Sequence, residues 1–238
     1  MSQLSAVRLS LSQAADPEKA TFFPHFFKAG PGEYAEGDKF LGVTVPQSRI
    51  VAKQYTDLSL TEIDELLASP WHEERLVALV ILTVQYRRAD MKMRRTIYEF
   101  YLAHTDRINN WDLVDISCRD IIGWHLYDNP DKLTVLDALA ASESLWERRI
   151  AIVCSQYFLM QSDPSVTLHM AETLVHDSYD LIQKAVGWML REMGKRVDRQ
   201  LLIEFLAHHY HTMPRTTLRY AIEHFDEPSR RAYLTGTA

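Results

Sequence analysis

Along most of the chain, hydrophobic residues recur every three or four positions rather than every second one. The segments SPWHEERLVALVIL, ESLWERRIAIVCSQYF, SYDLIQKAVGWMLREM and PRTTLRYAIEHF all show this spacing, which is that of a helix with one buried face. No alternating run of the kind that makes a half-buried strand competes with it. Pro70, Pro130, Pro164 and Pro214 fall between the segments, where helices start or the chain turns. The pattern predicts an all-α protein.

The helices also repeat. Aligning the segments on Ala78, Asp115, Ala151, Ala185 and Ala221 gives spacings of 37, 36, 34 and 36 residues. Each unit carries a second helical segment: MRRTIYEFYLAHT, NPDKLTVLDALAAS, PSVTLHMAETLVHD and DRQLLIEFLAHHY. Two helices in such a period predict a right-handed α-solenoid of HEAT-like repeats, in which equivalent helices line a concave face. We expect a single domain over residues 1–238, with N-terminal helices and a glycine-rich loop in 1–50 and the repeats in 51–238. In the first part, Asp16-Pro17 marks a helix start. Phe22, Phe23, Phe26 and Phe27 then lead into a loop from Gly30 to Gly42, which is a candidate contact loop.

Composition narrows the class without naming a function. With 47% hydrophobic residues and only 8 glycines in 238, the chain reads as a globular helical protein. Its two cysteines, Cys118 and Cys154, sit in apolar stretches and match no metal or redox spacing. We read them as buried thiols. The N-terminus has no basic-plus-apolar leader and no run approaches a membrane span. The expectation is a cytoplasmic protein, monomeric, with no membrane association. A formal charge of −6 does not announce a polyanion partner. The cations are clustered, however: RRADMKMRR is one group, and Lys184, Arg191, Lys195, Arg196 and Arg199 form another. The histidines of AHHYH (His208, His209, His211) lack a partnering acid or cysteine pattern and read as a solvated helix end. No phosphate-binding loop, serine elbow or zinc-binding helix signature is present.

One position stands out. Four anchors of the repeat are alanine and the fifth is Asp115. A buried carboxylate costs several kcal/mol unless a cation or solvent compensates it. Trp111 lies one helical turn before Asp115, Arg149 two residues before its own anchor and Trp188 three after its own. Sideways stacking of repeats brings such positions together as one acid, one guanidinium and two indoles. That set suits a cationic ligand on a phosphate-bearing chain. It also suits a structural ion pair among core tryptophans, and the spacing alone does not separate the two.

Four stretches, DKFLGVTVPQSR (38–49), NNWDLVD (109–115), LWERRIAIV (145–153) and IQKAVGWMLREMGK (182–195), resemble the AlkD family of bacterial DNA alkylation repair glycosylases. The resemblance runs in order from about residue 17 to residue 225. It implies a curved stack of HEAT-like repeats and hydrolysis of the N-glycosidic bond of cationic N3- and N7-alkylpurines in double-stranded DNA. It further implies base excision repair at the bacterial nucleoid, no need to flip the base, and no metal or organic cofactor. The family's catalytic aspartate falls on Asp115, its tryptophans on Trp111 and Trp188 and its arginine on Arg149, with Arg148 as the alternative one residue away. The family's N-terminal tyrosine falls on Phe26, which lacks the hydroxyl. On this reading Phe26, Lys28, Lys39, Arg148, Lys184, Arg191 and Arg219 are expected to meet the DNA, with the acidic excess on the convex side. A non-catalytic module that binds damaged or branched DNA, or a protein scaffold, is the alternative.

Overall fold

A computed structural model of the protein describes residues 2–238, which are helical throughout apart from turns and loops. No strand occurs among the described residues, and one isolated bridge pairs Lys39 with Trp71. None of their helices is long and apolar enough to cross a membrane. The chain divides into two compact units, Met1–Ser117 and Cys118–Ala238.

The first unit contains α1 (Gln3–Gln13), α2 (Pro17–Phe26), α3 (Val45–Gln54), α4 (Leu60–Leu67), α5 (His72–Arg88), α6 (Met91–Ala103) and most of α7 (Trp111–Cys118). The starts follow capping chemistry. Asp16 accepts the backbone N–H groups of Glu18 and Lys19, and Ser59 with Glu62 makes a reciprocal box at α4. Helix α5 packs on α3 and α4, and Ile63, Leu66, Val77, Ala78 and Leu82 are fully enclosed there.

The loop before α3 is tied to the start of α5. Lys39 donates its backbone N–H to Pro70 O at 2.9 Å, and Lys39 O accepts from His72 N at 2.9 Å. The Glu73 carboxylate then accepts the N–H groups of Leu41, Gly42 and Val43 at 2.8–3.1 Å. Gly42 has φ +81°, and a Cβ there would lie 2.1 Å from Asp16 O, so both the left-handed backbone and the close approach to α2 demand glycine. The end of the loop read from sequence as a contact surface is therefore an internal tie.

The second unit opens with a π-turn (Arg119–Gly123), followed by α8 (Trp124–Tyr127), α9 (Lys132–Ala140), α10 (Leu145–Val153), α11 (Gln156–Met160) and α12 (Ser165–Leu174). It continues through α13 (Asp180–Arg196), α14 (Arg199–His209), α15 (Arg215–Ala221) and α16 (Glu227–Thr235). Here the repeat is visible in the packing. Helix α10 packs on α13 and α13 on α15, while α9 packs on α12. The anchors Ala151, Ala185 and Ala221 are all buried, because only a small side chain lets successive helices approach. Gly187 takes this furthest, since a Cβ there would lie 2.5 Å from both Thr217 O and Tyr220 Cβ. Cys118 and Cys154 are buried free thiols, and burial pushes the Cys154 thiol well above its ordinary pKa.

Candidate functional site

The first unit holds a cavity of about 280 Å³ whose wall includes Trp111, Asp112, Asp115 and Ile116 of α7. Phe23 and Phe26 of α2, Phe27 just beyond it, and His72, Glu73 and Leu76 of α5 complete most of it. Helix α7 presents residues 111, 112 and 115 to one side because they lie one turn apart. Asn110, fully buried, accepts the Trp111 backbone N–H with its own side chain at 2.8 Å, immediately ahead of the helix. Asp115 is half-buried.

The walls are aromatic. Phe27 stacks on Trp111 with ring centres 5.7 Å apart and planes at 23°. Phe26 meets the same indole edge-on at 5.9 Å. Phe22 and Phe26 are 57% and 49% exposed, so this corner shows apolar rings to solvent. Phe26, expected to contact DNA in place of a tyrosine, thus lies beside Trp111 and Asp115. Phe27, read from the sequence only as one member of the aromatic cluster and not as a contact residue, is the ring that stacks face to face on the indole.

Behind the aromatic wall lies buried charge. His72 is 2% exposed and its Nε2 is 2.8 Å from Asp112 Oδ2. Its Nδ1 is 3.5 Å from Asp38 Oδ2, an ion contact longer than a hydrogen bond. Arg75 donates to the same Asp38 carboxylate. Burial alone would lower the His72 pKa, but the charge and hydrogen bond of Asp112 and the Asp38 contact outweigh it and raise the value to about 9. The imidazole is therefore an imidazolium at neutral pH. Asp38 moves the other way: burial raises its pKa, and His72 and Arg75 together hold it below the ordinary carboxylate value. Outside this cluster Glu74, also buried, accepts from Arg8 at 3.1 Å.

The remaining expected site residues lie in the second unit. Arg149 on α10 is 5% exposed and donates to Leu181 O on α13 at 2.6 Å. The interaction ties it to the helix that carries half-buried Trp188. Arg148, the alternative, is occupied by Asp177 at 2.8 Å, by the carbonyls of Ser142 and Glu143, and by the Tyr179 ring. Both arginines are thus engaged within the fold, Arg149 the more deeply.

Several cations expected to meet DNA have acidic neighbours. Lys184 pairs with Asp180 at 2.6 Å, Arg191 with Glu223 and Glu192, and Lys28 with Glu33 at 3.9 Å. Lys39 and Arg219 are exposed. The Lys28 and Lys184 pairs lie at the surface, where such pairs are weak, whereas Arg191 and Glu192 are largely buried. A second cavity of about 350 Å³ lies among Arg191, Lys195, Arg199, Leu202, His224 and Phe225. His209 pairs with Glu172 at 2.9 Å and His208 with Glu204 O at 2.8 Å. No cluster of metal-ligating side chains occurs among the described residues.

Sequence reasoning missed Asp38, His72, Glu73, Arg75 and Asp112. One of these had a usable signal: Asp112 lies three residues before Asp115, which puts it on the same helix face.

A profile of the DNA alkylation repair enzymes matches residues 7–225. The chain belongs to the DNA alkylation repair enzyme family. Among solved structures it is similar to a protein of Enterococcus faecalis described as a predicted DNA alkylation repair enzyme. The two share 19% identity with a TM-score of 0.67, over 90% of this chain and 97% of that one, a likeness that establishes the fold. No curated protein matches the sequence.

Proposed function

We propose that the protein is a DNA glycosylase that hydrolyses the N-glycosidic bond of cationic N3- and N7-alkylpurines in duplex DNA. The observation that carries this reading is the half-buried Asp115 carboxylate in an aromatic cavity wall beside Trp111. An alkylated purine leaves as a neutral base, so its departure needs no proton donor. What develops is an oxocarbenium-like sugar, and a fixed carboxylate stabilises that charge while accepting the proton of the attacking water. The electron-rich faces of Trp111 and Trp188 favour the positive lesion. Arg149 is assigned a lesion-flanking phosphate, which it would hold as a charge-assisted donor. The sugar cation, rather than the edges of the base, is what these groups address. The reaction as proposed therefore does not require the base to swing into a pocket, and it needs no cofactor.

The test is single-turnover release of base from duplex DNA carrying N7-methylguanine. Wild type is expected to release it well above the spontaneous rate, and Asp115→Asn to lose about a hundredfold or more. Duplex or branched DNA bound without base release would leave a helical DNA-binding module, the reading that Phe26 in place of a tyrosine favours.

A further inference from the structure

Helix α7 carries both residues that the proposed reaction uses in the first unit, and one buried ring, His72, ties its first turn to the loop before α3. His72 joins three stretches that are distant in sequence. It belongs to α5, its Nε2 reaches Asp112 on α7 at 2.8 Å, and its Nδ1 faces Asp38 of the loop at 3.5 Å. Phe27 and Phe40 lie against it with ring centres 4.7 and 5.1 Å away. The same Phe27 stacks on Trp111. The ring cannot turn without disturbing the aromatic wall and the start of α7 together. Both His72 and Asp112 are part of the cavity wall that includes Asp115.

We propose that His72 is a positioning residue of this site: as an imidazolium clamped between Asp38 and Asp112, it fixes the first turn of α7 and thereby aims Trp111 and Asp115 at the reacting sugar. The inference rests on the glycosylase reading but concerns residues that reading does not use.

The proton count gives the clamp its character. A neutral imidazole has one N–H, so one of the two carboxylates would then face a nitrogen lone pair. Only the doubly protonated ring meets both favourably. The opposing charges are identifiable. Asp112 and Asp38 favour the imidazolium, while Arg75 on its own helix opposes it. Glu73, the next residue, is turned to the backbone of residues 41–43, and Asp115 is the further acid of the wall. With a pKa raised to about 9, the clamp is intact at neutral pH and opens in alkali.

The experiment is single-turnover base release from N7-methylguanine duplex between about pH 7 and about pH 10, for wild type, His72→Gln and Asp38→Asn. Glutamine keeps a donor for Asp112 and removes the titrating charge. Wild type is expected to slow about tenfold as the pH passes about 9. His72→Gln is expected to be about tenfold slower at neutral pH, to bind duplex nearly as tightly, and to lack the alkaline fall. Asp38→Asn removes one stabilising charge and should move the fall to lower pH. That result decides the matter if His72→Gln does not fold. A wild-type rate in His72→Gln, an alkaline fall that survives it, or a fall that Asp38→Asn leaves in place would overturn the positioning role while the glycosylase reading stands. Absence of release by wild type would remove the reaction, and this role with it.

Discussion

Helices α5 and α13 are equal in length, 17 residues each, and start alike. Each follows an extended aromatic residue, Trp71 or Tyr179, with acid in the first turn and bases in the last. They are anchored by opposite means. Helix α5 buries four consecutive ionisable residues, His72, Glu73, Glu74 and Arg75, at 1–6% exposure. Helix α13 buries apolar side chains, Gly187 and one acid, Glu192, whose partners Arg191 and Arg196 lie towards the surface. The contrast shows what buried charge contributes. Apolar contact holds a helix against its neighbour but leaves small slides and rotations cheap, whereas a hydrogen-bonded charge fixes direction. Directional fixing occurs where α5 meets the loop and α7, next to Asp115. Where α13 packs on α15 the buried contact is set by close approach at Gly187, and the polar ties, Thr216 to Asp180 at 3.5 Å and Arg191 to Glu223, lie at the edges of the contact.

The largest effect comes from breaking the charge at the start of α5. Glu73→Ala leaves three backbone N–H groups of residues 41–43 without their acceptor. Stripping charged acceptors from buried donors costs on the order of 4 kcal/mol. Urea denaturation is expected to show a loss of that size. Glu73→Gln should lose much less, because one oxygen, Oε1, already accepts from all three groups. Equal losses in the two variants would show that volume, not the carboxylate, holds the loop.

The second effect separates the regions by pH. His72 binds its proton with a pKa of about 9 in the folded chain, against 6.5 for a free histidine. Its stabilising contribution is complete below pH 6.5 and is lost as the pH rises through about 9, a total of about 3 kcal/mol. Denaturation midpoints should decline across that window in wild type and decline far less in His72→Gln. A variant that declines as steeply as wild type would assign the proton uptake elsewhere.

The two regions also differ in how far the sequence discloses them. The helices of the second unit were legible because their information is local. The 3.6-residue period marks the faces, and alanine at 151, 185 and 221 marks where helices approach. Asp115 was legible as the exception to that ladder, and Trp111 by its spacing from Asp115. The stretch His72–Arg75 misled for an equally physical reason. Charged residues in a first turn are normally solvated and favoured by the helix dipole, and nothing local says that residues 38–44 will fold back over them. The same long-range fact hid the role of DKFLGVTVPQSR. Its glycine and backbone amides serve Glu73, and its Asp38 serves His72 and Arg75. Phe27 differs from Phe26 only by facing inward, a difference set by where α2 ends.

The smallest of the three effects tests the other side of the comparison, the close packing that seats α13 against α15. Gly187 lies in mid-helix, where replacing glycine by alanine ordinarily stabilises by about 1 kcal/mol through helix propensity. Here the added methyl would meet backbone, Thr217 O at 2.5 Å, as well as Tyr220 Cβ. Neither is the free end of a flexible side chain, so α15 must move away. Overpacking of this kind costs about 1–3 kcal/mol, which leaves Gly187→Ala destabilised by a net amount of up to about 2 kcal/mol once propensity is offset. The neighbouring Trp188 makes the consequence functional on the proposed reading, since any shift of α13 carries the indole with it. Base release is then expected to fall more than the loss of stability alone explains, at temperatures where the variant remains folded. A Gly187→Ala variant more stable than wild type would mean that α13 and α15 slide apart at no cost, and close packing would no longer account for where Trp188 is held.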